Sequence, residues 1–127
     1  MTFRFHLNPI PAPRPRVTSK GWTYYPAKYK NWRKSAGDLI PDILSQLGLK
    51  EPLVGPLEVT TEFVVTRPKT TRLAYPRGDL DNFCKSVWDV LSGMLFTDDN
   101  VIVVAHATKR WAEVGEEGYI DMEVKEA

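Results

Sequence analysis

Two short acidic groups, Asp79-Leu80-Asp81 and Asp98-Asp99-Asn100, carry the chemical interest of this chain, with Lys85 between them. Carboxylate oxygens are hard ligands, and three or four drawn together suit a divalent cation such as Mg²⁺. A cation so held lowers the pKa of a bound water and neutralises phosphate charge, as phosphodiester hydrolysis requires. Lys85 follows Asp81 by four residues, so on a helix the two share a face. Its ammonium stands one turn from the carboxylates, where it can meet charge developing on a phosphate. Each part also has a plainer reading. Asp81 can cap a helix. Asp98-Asp99-Asn100 can be turn chemistry. Lys85 can pair with Asp81 or Asp89 on a wet face, for little energy.

Acting together, these groups need particular elements to position them. Leu80, Phe83, Val87, Val90, Leu91 and Met94 form the apolar stripe of a helix that has Asp79 and Asp81 at its head. Asp98 and Asp99 fall beyond its far end, so the two groups converge only if another element folds back. Gly78 lets the backbone bend closely ahead of the helix. Upstream, Thr2 to Leu7 alternates as a first strand. Pro9, Pro11, Pro13 and Pro15 make a stiff strap, and a turn at Lys20-Gly21 predicts a small hairpin over Val17 to Tyr25. From Pro26, the positions Tyr29, Trp32, Ala36, Ile40, Ile43, Leu44 and Leu47 follow helical spacing up to Gly48. Gly37 and Pro41 predict a kink there, or two short helices. Leu57 to Val65 alternates as a strand with one wet face. Arg67 to Gly78 is a basic loop. Val101 to Val104 predicts a central strand running towards Trp111, and Ile120, Met122 and Val124 a last strand. The expectation is a single α+β domain over 1–127, a small mixed β-sheet flanked by two main helices. Its element order is β–arm–α–β–α–β–β, with a basic, proline-rich arm at about 9–25.

The formal net charge of +1 hides a strong asymmetry. Residues 1–37 hold eight basic side chains and no acidic one, and Arg67, Lys69, Arg72 and Arg77 form a second acid-free cluster. Two basic clusters flanking an acidic pocket point to a polyanion, because phosphate contacts dominate nucleic-acid affinity. Arg14, Arg16, Lys20, Lys69, Arg72 and Arg77 are the candidate DNA contacts. Trp22, Tyr24 and Tyr25 can stack on an unpaired base, with core packing as the rival role. His6 and His106 read as structural, so no imidazole replaces a metal as base. The single cysteine, Cys84, excludes an internal disulfide and a Cys-rich zinc site, and reads as a small buried side chain. No stretch has the apolar length of a secretory h-region or a membrane span, which fits a reducing cytosol.

Arg77-Gly78-Asp79-Leu80-Asp81-Asn82-Phe83-Cys84-Lys85, then Trp88-Asp89-Val90-Leu91, then Phe96-Thr97-Asp98-Asp99, resembles the signature of the RusA-type Holliday junction resolvases. Pro13-Arg14-Pro15-Arg16-Val17 followed by Tyr24-Tyr25-Pro26 is similar to the N-terminal segment of many phage-borne members. The resemblance implies a dimeric crossover junction endodeoxyribonuclease that makes symmetric paired nicks in four-way junctions with Mg²⁺ or Mn²⁺. It implies Asp79, Asp81 and Asp99 as the essential carboxylates, with Asp98 the alternative to Asp99, and Lys85 as the essential lysine. It also implies a homodimer in a bacterial host cytosol, encoded by a phage or prophage. The sequence alone does not show the dimer surface; one face of the second helix, through Trp88, is a candidate. Two rivals share these residues: a metal-dependent nuclease for forks or flaps, and a non-catalytic binder of branched DNA.

Overall fold

The computed structural model describes residues 1–127. Strand β4 (Leu57–Val65) lies inside a four-stranded sheet of order β1–β6–β4–β5. Its alternation is real: Leu57, Val59, Thr61 and Phe63 are buried. β4 runs antiparallel to β6 (Tyr119–Glu126), which in turn pairs antiparallel with β1 (Thr2–Phe5). His6 therefore lies just outside the first strand, which is shorter than its alternation predicts. On its other side β4 pairs with β5 (Ile102–Trp111) in parallel. A parallel pair needs a crossover, and the second helix, α2 (Leu80–Leu91), supplies it.

β5 differs from expectation. It forms an edge of the sheet, with Val103 60% and Val104 39% exposed. A run of four apolar residues does not tell a central strand from an edge strand. Here β6, arriving from the tail, takes the second flank of β4. The register also slips between Leu57 and Glu58, where Leu57 pairs with Ile102 and Glu58 with Val104. Val103 is thus the extra residue of a bulge.

The first helix, α1 (Ala27–Leu47), is one helix, not two. Pro26 stands at its N-cap rather than inside it. Pro41 lacks the amide that would bond to Gly37, at the cost of one helical hydrogen bond. Tyr29, Trp32, Ala36, Ile40 and Ile43 are buried on both sides of that point, and packing of an amphipathic face outweighs one missing bond. Gly48 (φ 68°) closes the helix, its amide reaching Ser45 O and that of Leu49 reaching Leu44 O. Both helices cover one face of the sheet around a single core that includes Phe5, Ile40, Phe63, Phe83, Val87, Leu91 and Ile120.

α2 ends at Leu91, earlier than the stripe suggests. Met94 lies past the helix and is exposed, while Leu95 and Phe96 are fully buried in its place. A tight return holds them there: the amide of Gly93 meets Phe96 O at 2.8 Å, and Leu53 exchanges bonds with Leu95 and Thr97. A short 3-10 turn, Asp99–Val101, then leads into β5. In the arm, β2 (Arg16–Val17) and β3 (Thr23–Tyr24) form the predicted hairpin.

Candidate active site

The head of α2 is where the chain passes between arm and core. Gly78 has φ 101°, and a Cβ there would fall 2.8 Å from Pro11 Cγ and 3.2 Å from the Phe83 ring. Glycine is needed for both the conformation and the space. Asp79 follows as the N-cap residue, with extended backbone, yet its carboxylate makes no capping hydrogen bond. Asp81 Oδ1 accepts only from the adjacent amide of Asn82, at 3.0 Å. Asp81 therefore does not take up the plainer role of a cap, and both carboxylates stand exposed at the helix head. A helix N-terminus carries positive partial charge that supports anions at this place.

Lys85 lies one turn along the same face. Its Nζ is 3.3 Å from Asp89 Oδ2, an i,i+4 pair with Lys85 53% exposed. The partner is Asp89 rather than Asp81. An exposed pair of this kind binds its ammonium weakly, so Lys85 remains available to a stronger anion. Behind this face, burial pushes the Cys84 thiol up to about 11, with the Asp81 charge adding to it. Cys84 is a packing residue with no thiolate at neutral pH. His106 pairs with Glu58 Oε2 at 3.2 Å on β5, well away from Asp79.

Both basic clusters are anchored beside this helix head. The amide of Ala12 donates to Asn82 O at 2.9 Å, tying the arm to α2. The Trp111 indole donates to Leu73 O at 2.8 Å, tying the basic loop to β5. Between arm and loop lies an open groove of about 350 Å³ whose lining includes Pro11, Lys28, Thr71, Arg77 and Trp111. Arg14, Arg16, Lys20, Lys69, Arg72 and Arg77 are all exposed, Lys20 at the hairpin turn. Of the aromatic candidates, Trp22 is 75% exposed. Tyr24 is exposed as well, whereas Tyr25 packs edge-on against Tyr29 in the core.

Asp98 and Asp99 sit at the opposite end of the molecule. α2 has 12 residues, a length of about 18 Å at 1.5 Å per residue. Ile102, just after the acidic pair, lies at the start of β4 through its pairing with Leu57. Lys109, near the far end of the same strand, donates to Pro76 O at 2.9 Å and to Gly78 O. Asp79 thus stands by the end of β5 and Asp99 by its beginning. No group of three carboxylate, imidazole or thiol side chains within the chain can hold a metal ion. The fold thus sets Asp79, Asp81 and Lys85 at one end of β5 and Asp98 and Asp99 at the other.

Lys109 is a positioning residue that sequence reasoning passed over. Its two carbonyl bonds, and its place over the rings of Tyr75 and Phe83, hold the loop that delivers Asp79. A signal existed. Lys109 occupies the register position of Phe63, so strand alternation puts a lysine on the face where an apolar residue is expected.

The sequence model for endodeoxyribonuclease RusA matches residues 6–123. Among curated proteins none matches. No helix is long and apolar enough to cross a membrane. The matched span takes in the arm, the basic loop, both acidic groups and Lys85, and the α+β architecture agrees with it. This chain belongs to the RusA family of endodeoxyribonucleases.

Proposed function

We propose that this endonuclease resolves Holliday junctions by paired symmetric nicks, as a homodimer dependent on Mg²⁺, with Mn²⁺ also able to serve. The observation that carries this reading is the head of α2. Two exposed carboxylates stand there with no capping role, one turn from a loosely held lysine, and both basic segments are tied to the same place. All-oxygen donors of this kind fit a hard divalent cation. A single chain offers only two of the three carboxylates at that point, so Asp99, or its neighbour Asp98, would come from a second copy. A four-way junction has two equivalent strands to cut, which suits a two-fold dimer with two such sites.

Bound there, the cation would supply an activated water and neutralise charge on the phosphate. The rest falls to this chain's own residues. Asp79, Asp81 and Asp99 would hold the ion. Lys85 would leave Asp89 for the scissile phosphate and stabilise its added charge. Arg14, Arg16, Lys20, Lys69, Arg72 and Arg77 would grip the junction arms. The setting that suits such work is the reducing cytosol of a bacterial host, with a phage or prophage as the source of the gene.

The test is incubation of a labelled synthetic junction with and without Mg²⁺, beside linear duplex and fork controls. Cleavage of the junction alone, on opposite strands and only with metal, is the expected result. Asp79→Asn and Asp81→Asn should each lose cleavage while junction binding persists, because an amide keeps the shape and loses the charge. Preferred cutting of forks would move the assignment to the fork and flap nucleases. Tight binding without any cutting would leave a junction-binding protein.

A further inference from the structure

We infer that Trp22 is the residue by which this chain tells branched DNA from duplex: carried on the β2–β3 hairpin, its indole stacks on the base face laid bare where the arms of a junction part. This rests on the proposed action on branched DNA and assigns its selectivity to one side chain. The hairpin is built to present that side chain. β2 and β3 pair with Arg16 opposite Tyr24 and Val17 opposite Thr23. The next rung is Thr18 and Trp22. The Thr18 amide donates to Trp22 O at 2.7 Å, and the Trp22 amide to Thr18 Oγ1 at 3.1 Å. Ser19, Lys20 and Gly21 close the loop, with Gly21 at φ 83°, as a three-residue turn demands. Strand alternation then puts Arg16, Thr18, Trp22 and Tyr24 on one face and Val17 and Thr23 on the other.

Nothing in the fold requires an indole there. Residues 14–24 are all exposed, and the hairpin is a separate sheet that joins neither core cluster. The other three tryptophans are buried or half-buried. Trp32 and Trp111 donate their indole N–H to Asn8 O and Leu73 O. Trp22 alone is left 75% exposed, a large apolar surface without a partner in the chain. It also stands beside the candidate site. One root of the hairpin is the buried Ala12, whose amide bonds to Asn82 O on α2. The other is Tyr25, packed against Tyr29. Trp22 is three residues from Tyr25, about 10 Å of extended chain.

The neighbours of Trp22 fix the chemistry of its partner. Arg14, Arg16 and Lys20 lie on or beside the hairpin, no acid occurs in residues 1–37, and none of the three is held in an ion pair. Such cations bind phosphates on any duplex, so they supply affinity without selecting a structure. Inside a duplex both faces of every base are covered by its neighbours, and an indole finds no free face. Where four arms part, the terminal pairs expose theirs. Stacking of an aromatic side chain on a bared base tolerates any sequence, and apolar side chains enter DNA where base steps open. A basic hairpin with Trp22 near its tip therefore reads shape. Tyr24 shares the face but is 41% exposed and nearer the root, so it is less free to enter.

Binding measured without divalent metal tests this apart from cutting. The wild-type protein should prefer a synthetic four-way junction to linear duplex of the same sequence. Trp22→Ala should weaken junction binding about tenfold, the loss of one stacked base, and duplex binding by less than about twofold. Trp22→Phe should keep most of the preference, and Val17→Ala, on the opposite face, all of it. These side chains are exposed, so every variant should melt as wild type does. A 5-bromouracil set at the crossover should crosslink to Trp22 under ultraviolet light, and one set in mid-arm should not. An unchanged preference in Trp22→Ala, or an equal loss on both DNAs, overturns the inference and leaves the nuclease assignment standing. Altered sedimentation of Trp22→Ala with unchanged junction binding makes the residue a protein contact and overturns it too. A wild-type protein that binds junction and duplex alike refutes the junction reading itself, and the inference with it. A preference that depends on Trp22 in a protein that never cuts upholds the inference and removes the proposed activity.

Discussion

Lys85→Ala separates catalysis from structure more cleanly than any other substitution in this chain. In the free protein Lys85 makes one interaction, the 3.3 Å pair with Asp89. Exposed i,i+4 pairs are worth about 0.5 kcal/mol, and alanine returns a few tenths through its higher helix propensity. For a domain of this size, ~0.5 kcal/mol moves Tm by about 2 °C. The fold should therefore hardly register the change. The effect on cutting should be far larger if the ammonium meets the phosphate. Loss of one preorganised group that stabilises transition-state charge costs on the order of 10²- to 10³-fold in rate. Metal affinity should stay close to wild type, because an ammonium repels a cation and is no ligand. Arginine should rescue in part, since its planar fork delivers the charge differently. The assay is a single-turnover cleavage of a synthetic junction at saturating Mg²⁺, with a thermal melt of the same preparation. A folded Lys85→Ala protein cutting within a few-fold of wild type would refute the role. Asp89→Asn is the control: it frees Lys85 without removing it, and cutting should survive.

Gly78→Ala should cost about 1–3 kcal/mol, because alanine at φ 101° is strained and its Cβ meets Pro11. It should slow cleavage more than it weakens junction binding, as melts and rate measurements will read, since Asp79 is the next residue. Replacing Arg14 and Arg16 together by alanine should reduce the slope of log binding constant against log salt by about one unit per lost phosphate contact; an unchanged slope in a salt titration places the DNA elsewhere. Stability should fall at alkaline pH. Burial raises Cys84 from 9.0 to about 11 and Tyr29 from 10.0 to about 12. Both groups are neutral when protonated, so their contribution is full below the unfolded values and is lost as pH rises through the folded ones. Thermal melts should show a flat Tm from neutrality to about pH 9 and a decline above it, and a Tm that keeps rising past that point would contradict the burial of both side chains.

The charge distribution has a structural meaning that net charge conceals. The basic arm and the basic loop lie far apart in sequence, yet both are tied to the head of α2, through Ala12 and Asn82 on one side and Lys109 on the other. Folding gathers the positive charge around two uncommitted carboxylates. Such a juxtaposition of opposite charges is what the proposed metal-dependent cutting of DNA would call for.

By itself the sequence determined what is local. Periodicity placed α2 and β4, Gly48 closed α1, and Lys20-Gly21 marked the hairpin, because backbone preference and the facing of side chains depend on neighbours within a turn or two. The candidate site was legible for the same reason: Asp79, Asp81 and Lys85 lie within seven consecutive residues of one helix head. Tertiary structure decided what is non-local. An apolar run reads alike at the centre and at the edge of a sheet, so only the arrival of β6 beside β4 made β5 an edge. Pro41 predicted a break that packing on both sides of it overrode. The two acidic groups read as one pocket, yet a helix of about 18 Å stands between them. A straight helix holds its two ends apart by a fixed rise per residue, and no spacing along the chain says whether the partner of one end is its own other end or another molecule's.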